Sequence, residues 1–217
     1  MNNDPTEVVE RLPTAAGELV LRRRGTDYEI IFNGTFLMAT HGGGSERAMV
    51  DLALTGKPPG RRVLVGGLGV GHTLAACLAH PAVAAVTVVE REPAVVRWNQ
   101  THLAAHNGGA VHDGRVQVVT ADLADYLAGP SSAFDAILLD TDNGPGWLVS
   151  PENERLYGTP MLQRLRRWLA PGGVLAFWTA QLEPEFGHRL RAAFRHTAVH
   201  TFAVGRGGPD YVYVAAT

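Results

Sequence analysis

The chain has 217 residues, enough for one sizeable domain with a short elaboration. Its 46% apolar and 18% charged residues describe a globular chain and argue against extended disorder. Nineteen Lys and Arg against 21 Asp and Glu leave a formal charge of -2, so neither nucleic acid nor an anionic membrane surface is expected as a partner. The single cysteine, Cys77, excludes an internal disulfide and any all-cysteine metal site.

Met1 to Leu12 is polar and acidic, unlike a secretory signal, and no stretch approaches the ~20 apolar residues that cross a bilayer. A cytoplasmic, soluble protein is the expectation. Glu18 to Arg23 and Tyr28 to Phe32 read as short strands; Asn33-Gly34 is a type I′ turn signal, and Thr35 to Ala39 returns. Ser45 is placed to cap a helix in which Ala48, Met49, Leu52 and Ala53 share a face. Gly56 and Pro58-Pro59-Gly60 end it, which predicts an extension over residues 1–60 and a main domain over residues 61–217.

From Arg62 onward, strand and helix signals alternate. Apolar strands are expected at Val63 to Val65, Val86 to Glu90, Val116 to Val119, Phe134 to Leu139 and Val174 to Trp178. Helices fit between them at Val70 to His80, Pro93 to Ala105, Leu123 to Leu127 and Thr159 to Ala170, with another at Glu185 to His196. Continuous Val, Ile and Leu runs joined by helical crossovers predict an α/β, Rossmann-like, doubly wound sheet. Val199 to Val204 and Tyr211 to Ala215, joined by a Gly205-to-Gly208 turn, are too close for a crossover and predict a C-terminal antiparallel hairpin. The expected fold is therefore a seven-stranded sheet preceded by a small N-terminal β unit.

Ligands of open α/β sheets sit beyond the carboxyl ends of the strands, near the first glycine-rich turn. That turn is Gly66-Gly67-Leu68-Gly69-Val70-Gly71. It misses the G-x-G-x-x-G spacing of dinucleotide sites, but Gly67-x-Gly69-x-Gly71 fits the shorter spacing of S-adenosylmethionine enzymes. Gly66, Gly67, Gly69 and Gly71 are accordingly candidate cofactor-binding residues. Three acids follow in the right order. Glu90 ends the second strand of the main domain, where a carboxylate accepts from both ribose hydroxyls. Asp122 can receive an adenine amino proton or cap the next helix, and Asp140 ends the fourth strand.

With these motifs in place, Tyr28 to Trp178 resembles the spermidine synthase family of aminopropyltransferases, within the wider class of S-adenosylmethionine-dependent methyltransferases. The closest local likeness is Phe134-Asp135-Ala136-Ile137-Leu138-Leu139-Asp140-Thr141-Asp142, and Tyr157 resembles the aromatic that ends the family's acidic loop. The resemblance also implies dimerisation through the N-terminal β unit, so a homodimer is expected.

The chain departs from that pattern in three places. The family's turn reads Gly-Gly-Gly-Asp-Gly-Gly, and its aspartate position holds Gly69. In the family that aspartate binds the ammonium of decarboxylated S-adenosylmethionine; beside an intact donor's carboxylate it would be repelled by on the order of 4 kcal/mol at about 4 Å. Gly69 removes the repulsion and leaves space. The family's Tyr-His-Glu motif appears as Gly44-Ser45-Glu46, without the tyrosine, and its two loop acids, three apart, are here two apart, as Asp140 and Asp142. These departures favour intact S-adenosyl-L-methionine as the donor and a methyltransferase acting on a small-molecule acceptor. An aminopropyltransferase using decarboxylated S-adenosylmethionine and a non-catalytic adenosyl-binding module are the alternatives.

For a sulfonium donor the protein must chiefly align a nucleophile, and deprotonate it if it arrives as an ammonium. Asp140 is the candidate base with Asp142 as its electrostatic partner; Asp140 holding the donor's own ammonium is equally physical. The long loop from Asp140 to Asn153 carries an apolar tip, Trp147-Leu148-Val149, able to cover a substrate or to pack locally. Asp140-Thr141-Asp142-Asn143-Gly144 has its glycine too early for a calcium loop, and no metal site is expected. His102 and His106 lack the glutamate of a zinc helix and read as surface residues.

Overall fold

A computed structural model of the chain describes residues 5–203 and 208–217. Four antiparallel strands come first, β1 (Thr6–Thr14), β2 (Gly17–Arg24), β3 (Asp27–Phe32) and β4 (Thr35–Ala39), paired in chain order. Strand β1 lies in a segment that shows no apolar alternation, because its pairing with β2 is largely exposed. Arg23 on β2 pairs with Glu7, and Arg11 pairs with Glu18, so charged cross-strand pairs accompany the β1–β2 ladder. The Asn33-Gly34 turn has positive φ at both residues, 49° and 78°, as a type I′ hairpin requires.

Helix α1 (Gly44–Leu54) begins two residues earlier than the capping signal suggests. Gly43, in the left-handed conformation, is its N-cap, and Ser45 lies inside the helix with its hydroxyl turned toward Asp210. The main sheet then forms from β5 (Arg61–Gly66), β6 (Val83–Glu90), β7 (Val116–Thr120), β8 (Phe134–Leu139), β9 (Leu169–Thr179), β10 (His196–Phe202) and β11 (Asp210–Ala216). Their spatial order is β10-β11-β9-β8-β5-β6-β7, with β11 antiparallel to both neighbours. The chain order therefore reverses on either side of β5, which creates the crevice expected of a doubly wound sheet. The C-terminal hairpin is present; residues 204–207 of its turn lie outside the described residues.

Helices α2 (His72–Ala79), α3 (Pro93–Gln100), α4 (Leu123–Ala128), α5 (Thr159–Trp168) and α6 (Pro184–Ala193) cover the sheet. Helix α3 is shorter than its apolar pattern predicts, because Thr101 leaves helical geometry and turns run on to Gly109. Val63, Leu64, Val65, Ile137 and Leu138 are inaccessible to solvent, which explains their unbroken apolar runs; each such side chain contributes about 1.5–3 kcal/mol by burial. One apolar core runs from Leu21 and Ile30 of the small sheet through Met49 to Val65 and Leu138 of the large one. Among the described residues no helix is long and apolar enough to cross a membrane.

Candidate active site

A cleft opens where β5, β6, β8 and β9 end, roofed by the small sheet. Gly67 and Gly69 form part of its wall. At Gly67 φ is 86°, and a Cβ would strike the backbone carbonyl of Asp140, so glycine lets the turn pass directly beside β8. Gly66 and Gly71 are not in the wall: Gly66 packs against Leu123 and Leu139, and Gly71 against Asn99 and Asn107. Their bareness serves the packing of turn, helix and strand rather than the approach of a ligand.

Glu90 is buried in the cleft wall, and its carboxylate is already held. Oε2 accepts from the Leu68 amide at 2.8 Å and Oε1 from the Glu92 amide at 2.8 Å. Burial pushes this carboxyl above its ordinary range while the two amides pull it back. A carboxylate offers about four acceptor sites, so about two remain for a diol. Asp122 both caps the next helix and stands in the cleft wall. Its Oδ1 caps α4 by accepting from Ala124 and Asp125 at 2.8 and 3.2 Å, it pairs with Arg155 at 2.6 Å, and it lines the cleft.

Asp140 follows β8 and opens only partly onto the cleft, with Thr73 Oγ1 of α2 donating to its Oδ2 at 2.9 Å. Enclosure by the protein, then the nearby Glu46 and Asp210 carboxyls, push it up to about 7. Asp142, two residues on, faces its own loop. Its oxygens accept from the amides of Asn143 and Val149 at 2.8 Å each, from the Ser150 amide at 3.3 Å and from Asn153 Nδ2 at 2.8 Å. Four donors fill its acceptor sites, so it fixes the loop's shape from a place in the cleft wall two residues from Asp140. Trp147 stands exposed at the loop tip, and Tyr157 is buried against Phe177 and Phe186.

Three contributors were not visible in sequence. Thr73 lies under Asp140; Asp210, at the start of β11, meets Ser45 of α1; and Met38 of β4 lies over Gly69. Ser45 Oγ is 2.8 Å from Glu46 Oε2 and 2.6 Å from Asp210 Oδ2, and it accepts from Trp178 Nε1 at 3.0 Å. Met38 Sδ receives the Val70 amide at 3.0 Å and occupies the volume that a side chain at position 69 would need. The space that Gly69 was expected to leave for a donor carboxylate is therefore filled.

The profile of the spermine/spermidine synthase domain matches residues 44–202. The chain belongs to this family. A polyamine aminopropyltransferase of Mycobacterium tuberculosis is 32% identical over 166 residues, which are 75% of this chain and 31% of the relative. Polyamine aminopropyltransferase 2 of Hyperthermus butylicus is 30% identical over 156 residues, 70% of this chain and 48% of the relative. The matched part thus spans a third to a half of these curated relatives. A crystal structure of spermidine synthase in complex with the transition state analogue AdoDATO superposes with a TM-score of 0.81 at 20% identity, covering 96% of this chain and 73% of that one. Spermidine synthase from Thermotoga maritima gives 0.78 at 19%, covering 96% and 72%.

These likenesses overturn the expectation of a small-molecule methyltransferase using intact S-adenosylmethionine, because the family and its named relatives are aminopropyltransferases. The physical error lay at Gly69. The lost aspartate suggests room there for the donor's own carboxylate, whereas the room is taken by an uncharged thioether.

Proposed function

We propose that this family member transfers an aminopropyl group from decarboxylated S-adenosylmethionine to a small amine acceptor, the polyamine chemistry for which its relatives are named. The observation that carries the reading is Asp140: a carboxyl held near neutrality, beside the adenosyl-side wall of the cleft and in the field of Glu46 and Asp210. Glu90 would take the ribose hydroxyls, with Asp122 at the adenine and the backbone of Gly67 and Gly69 flanking the nucleoside. The donor supplies an electrophilic carbon beside its sulfonium. A substrate amine is drawn to Asp140 and Glu46 as its ammonium, and Asp140 takes the proton that frees the nitrogen lone pair. Attack forms the new C–N bond as the C–S bond breaks. A base with a pKa near the working pH suits this transfer, which is typically worth about 10²–10⁴-fold in rate. The loop pinned by Asp142 holds Asp140 and the acceptor in line.

The test is mass-spectrometric detection of an aminopropylated amine after incubation with decarboxylated S-adenosylmethionine and a panel of diamines and polyamines. Product and 5′-methylthioadenosine in equal amounts are expected. Folded enzyme that binds the donor and yields neither with any amine would overturn the reading.

A further inference from the structure

The Ser45 contacts contain one hydrogen too few. An indole N–H only donates, so Trp178 makes Ser45 Oγ an acceptor, and the hydroxyl then has a single proton to give. Two carboxyl oxygens, Glu46 Oε2 and Asp210 Oδ2, nevertheless lie within hydrogen-bond distance of it, at 2.8 and 2.6 Å. Serine can donate to only one; the other contact needs a proton on the carboxyl. Asp140 adds a third acid to the same field, and burial together with the Glu46 charge raises Asp210. Among the described residues no three such side chains are spaced to hold a metal ion.

A second feature points to a ligand, in the cleft that Glu46, Asp140 and Trp178 line and behind whose wall Ser45 and Asp210 lie. Counting three from Asp140, the family's second loop acid falls on Asn143, a neutral amide. It lines the cleft, is 6% exposed, and its Nδ2 has no hydrogen-bond partner. Position 143 thus carries no charge, and Asp210 adds a carboxyl from a strand beyond the residues that the family profile matches.

We propose that Asp210 is a positioning residue for the acceptor: through Ser45 it shares one proton with Glu46 in the empty cleft, and that proton leaves for solvent when a substrate ammonium takes its place. This rests on the proposed amine-transfer reading. The groups facing Asp210 are Glu46 and Ser45 from α1, Asp140 from the end of β8, and the neutral Trp178 from β9; its partner on β10 is Phe202. The bound state keeps the total charge balanced, one proton out for one ammonium in.

The experiment is calorimetry of 1,4-diaminobutane binding to enzyme saturated with 5′-methylthioadenosine, at pH 7, in phosphate and in Tris. The difference between the buffers reads the protons released. Wild type is expected to release clearly more protons per diamine than D210N or E46Q, whose remaining release is the share that Asp140 gives up. D210N is also expected to raise KM for the diamine about tenfold, the size of one charge-assisted contact, with kcat nearly unchanged and the pH dependence of KM flattened. Equal proton release in wild type and both variants would overturn the role of Asp210 and leave the transfer reading intact. No diamine heat from wild type that binds 5′-methylthioadenosine would overturn both. Carboxyl ¹³C shifts followed against pH read the resting proton independently: a second group, besides Asp140, titrating above the ordinary range in wild type and absent from E46Q supports the pair, even if D210N does not fold, and its absence from wild type overturns it.

Discussion

Met38 lies over Gly69, its sulfur accepting the Val70 amide at 3.0 Å and filling the position where a side chain at residue 69 would begin. The two residues are therefore one adaptation: a glycine at φ 50° and a thioether packed onto it, in place of the family's aspartate. Restoring the aspartate alone should fail. G69D is expected to destabilise the protein by about 1–3 kcal/mol through overpacking, whereas M38A/G69D should recover part of that loss. Denaturant melts of the four proteins in the cycle check this; additive single effects would separate the two residues.

Removing the charge of Asp140 should trade activity for stability. Its carboxyl stands near 7 when folded against an ordinary value of 3.8, so the native state holds this proton more tightly than the unfolded chain. Its destabilising contribution is absent below pH about 4, grows as pH rises to about 7, and is then constant. D140N keeps an acceptor for Thr73 without that cost. Its Tm at pH 8 should exceed that of wild type by about 2–4 °C per kcal/mol relieved, while turnover falls about 10²–10⁴-fold. A lower Tm for D140N at pH 8 would contradict the assignment.

The same carboxyl sets the pH dependence of turnover. Only its deprotonated form accepts the amine proton, so kcat/KM for a diamine should rise through pH about 7 and flatten above it. Initial rates from pH 5.5 to 9 with a saturating donor follow this directly. A profile already flat across that range would remove Asp140 from the role of base.

Glu90 is prepared by backbone before any ligand arrives. In E90Q, whichever oxygen becomes an amide nitrogen faces the Leu68 or the Glu92 N–H, donor against donor. An unmet buried donor costs about 1–3 kcal/mol. Calorimetry should show 5′-methylthioadenosine binding weakened about tenfold or more, with the diamine's proton release preserved in the saturated enzyme.

Asp142 gathers four donors from Asn143 to Asn153, so D142A should loosen the loop without removing a reacting group. Faster proteolysis between residues 143 and 153 is expected, with a higher diamine KM. Unchanged cleavage and kinetics would show that other contacts hold the loop.

Read as a sequence, the chain already specifies the alternation of apolar strands and helices, the glycine turn, and the order of Glu90, Asp122 and Asp140. These are local signals: a strand buried on both faces must be apolar throughout, and an acid at its end must stand at the sheet's carboxyl edge. Strand β1 was missed because its pairing with β2 is mostly exposed and carries charged cross-strand pairs instead of a period of apolar residues. What Asp142 touches, what fills the room beside Gly69, and how Ser45 meets an aspartate 165 residues away were decided only in three dimensions. Each depends on which strands become neighbours. Residue spacing encodes the periodicity of an element, whereas a contact between β4 and the glycine turn, or between α1 and β11, exists only once the sheets have assembled and brought them together.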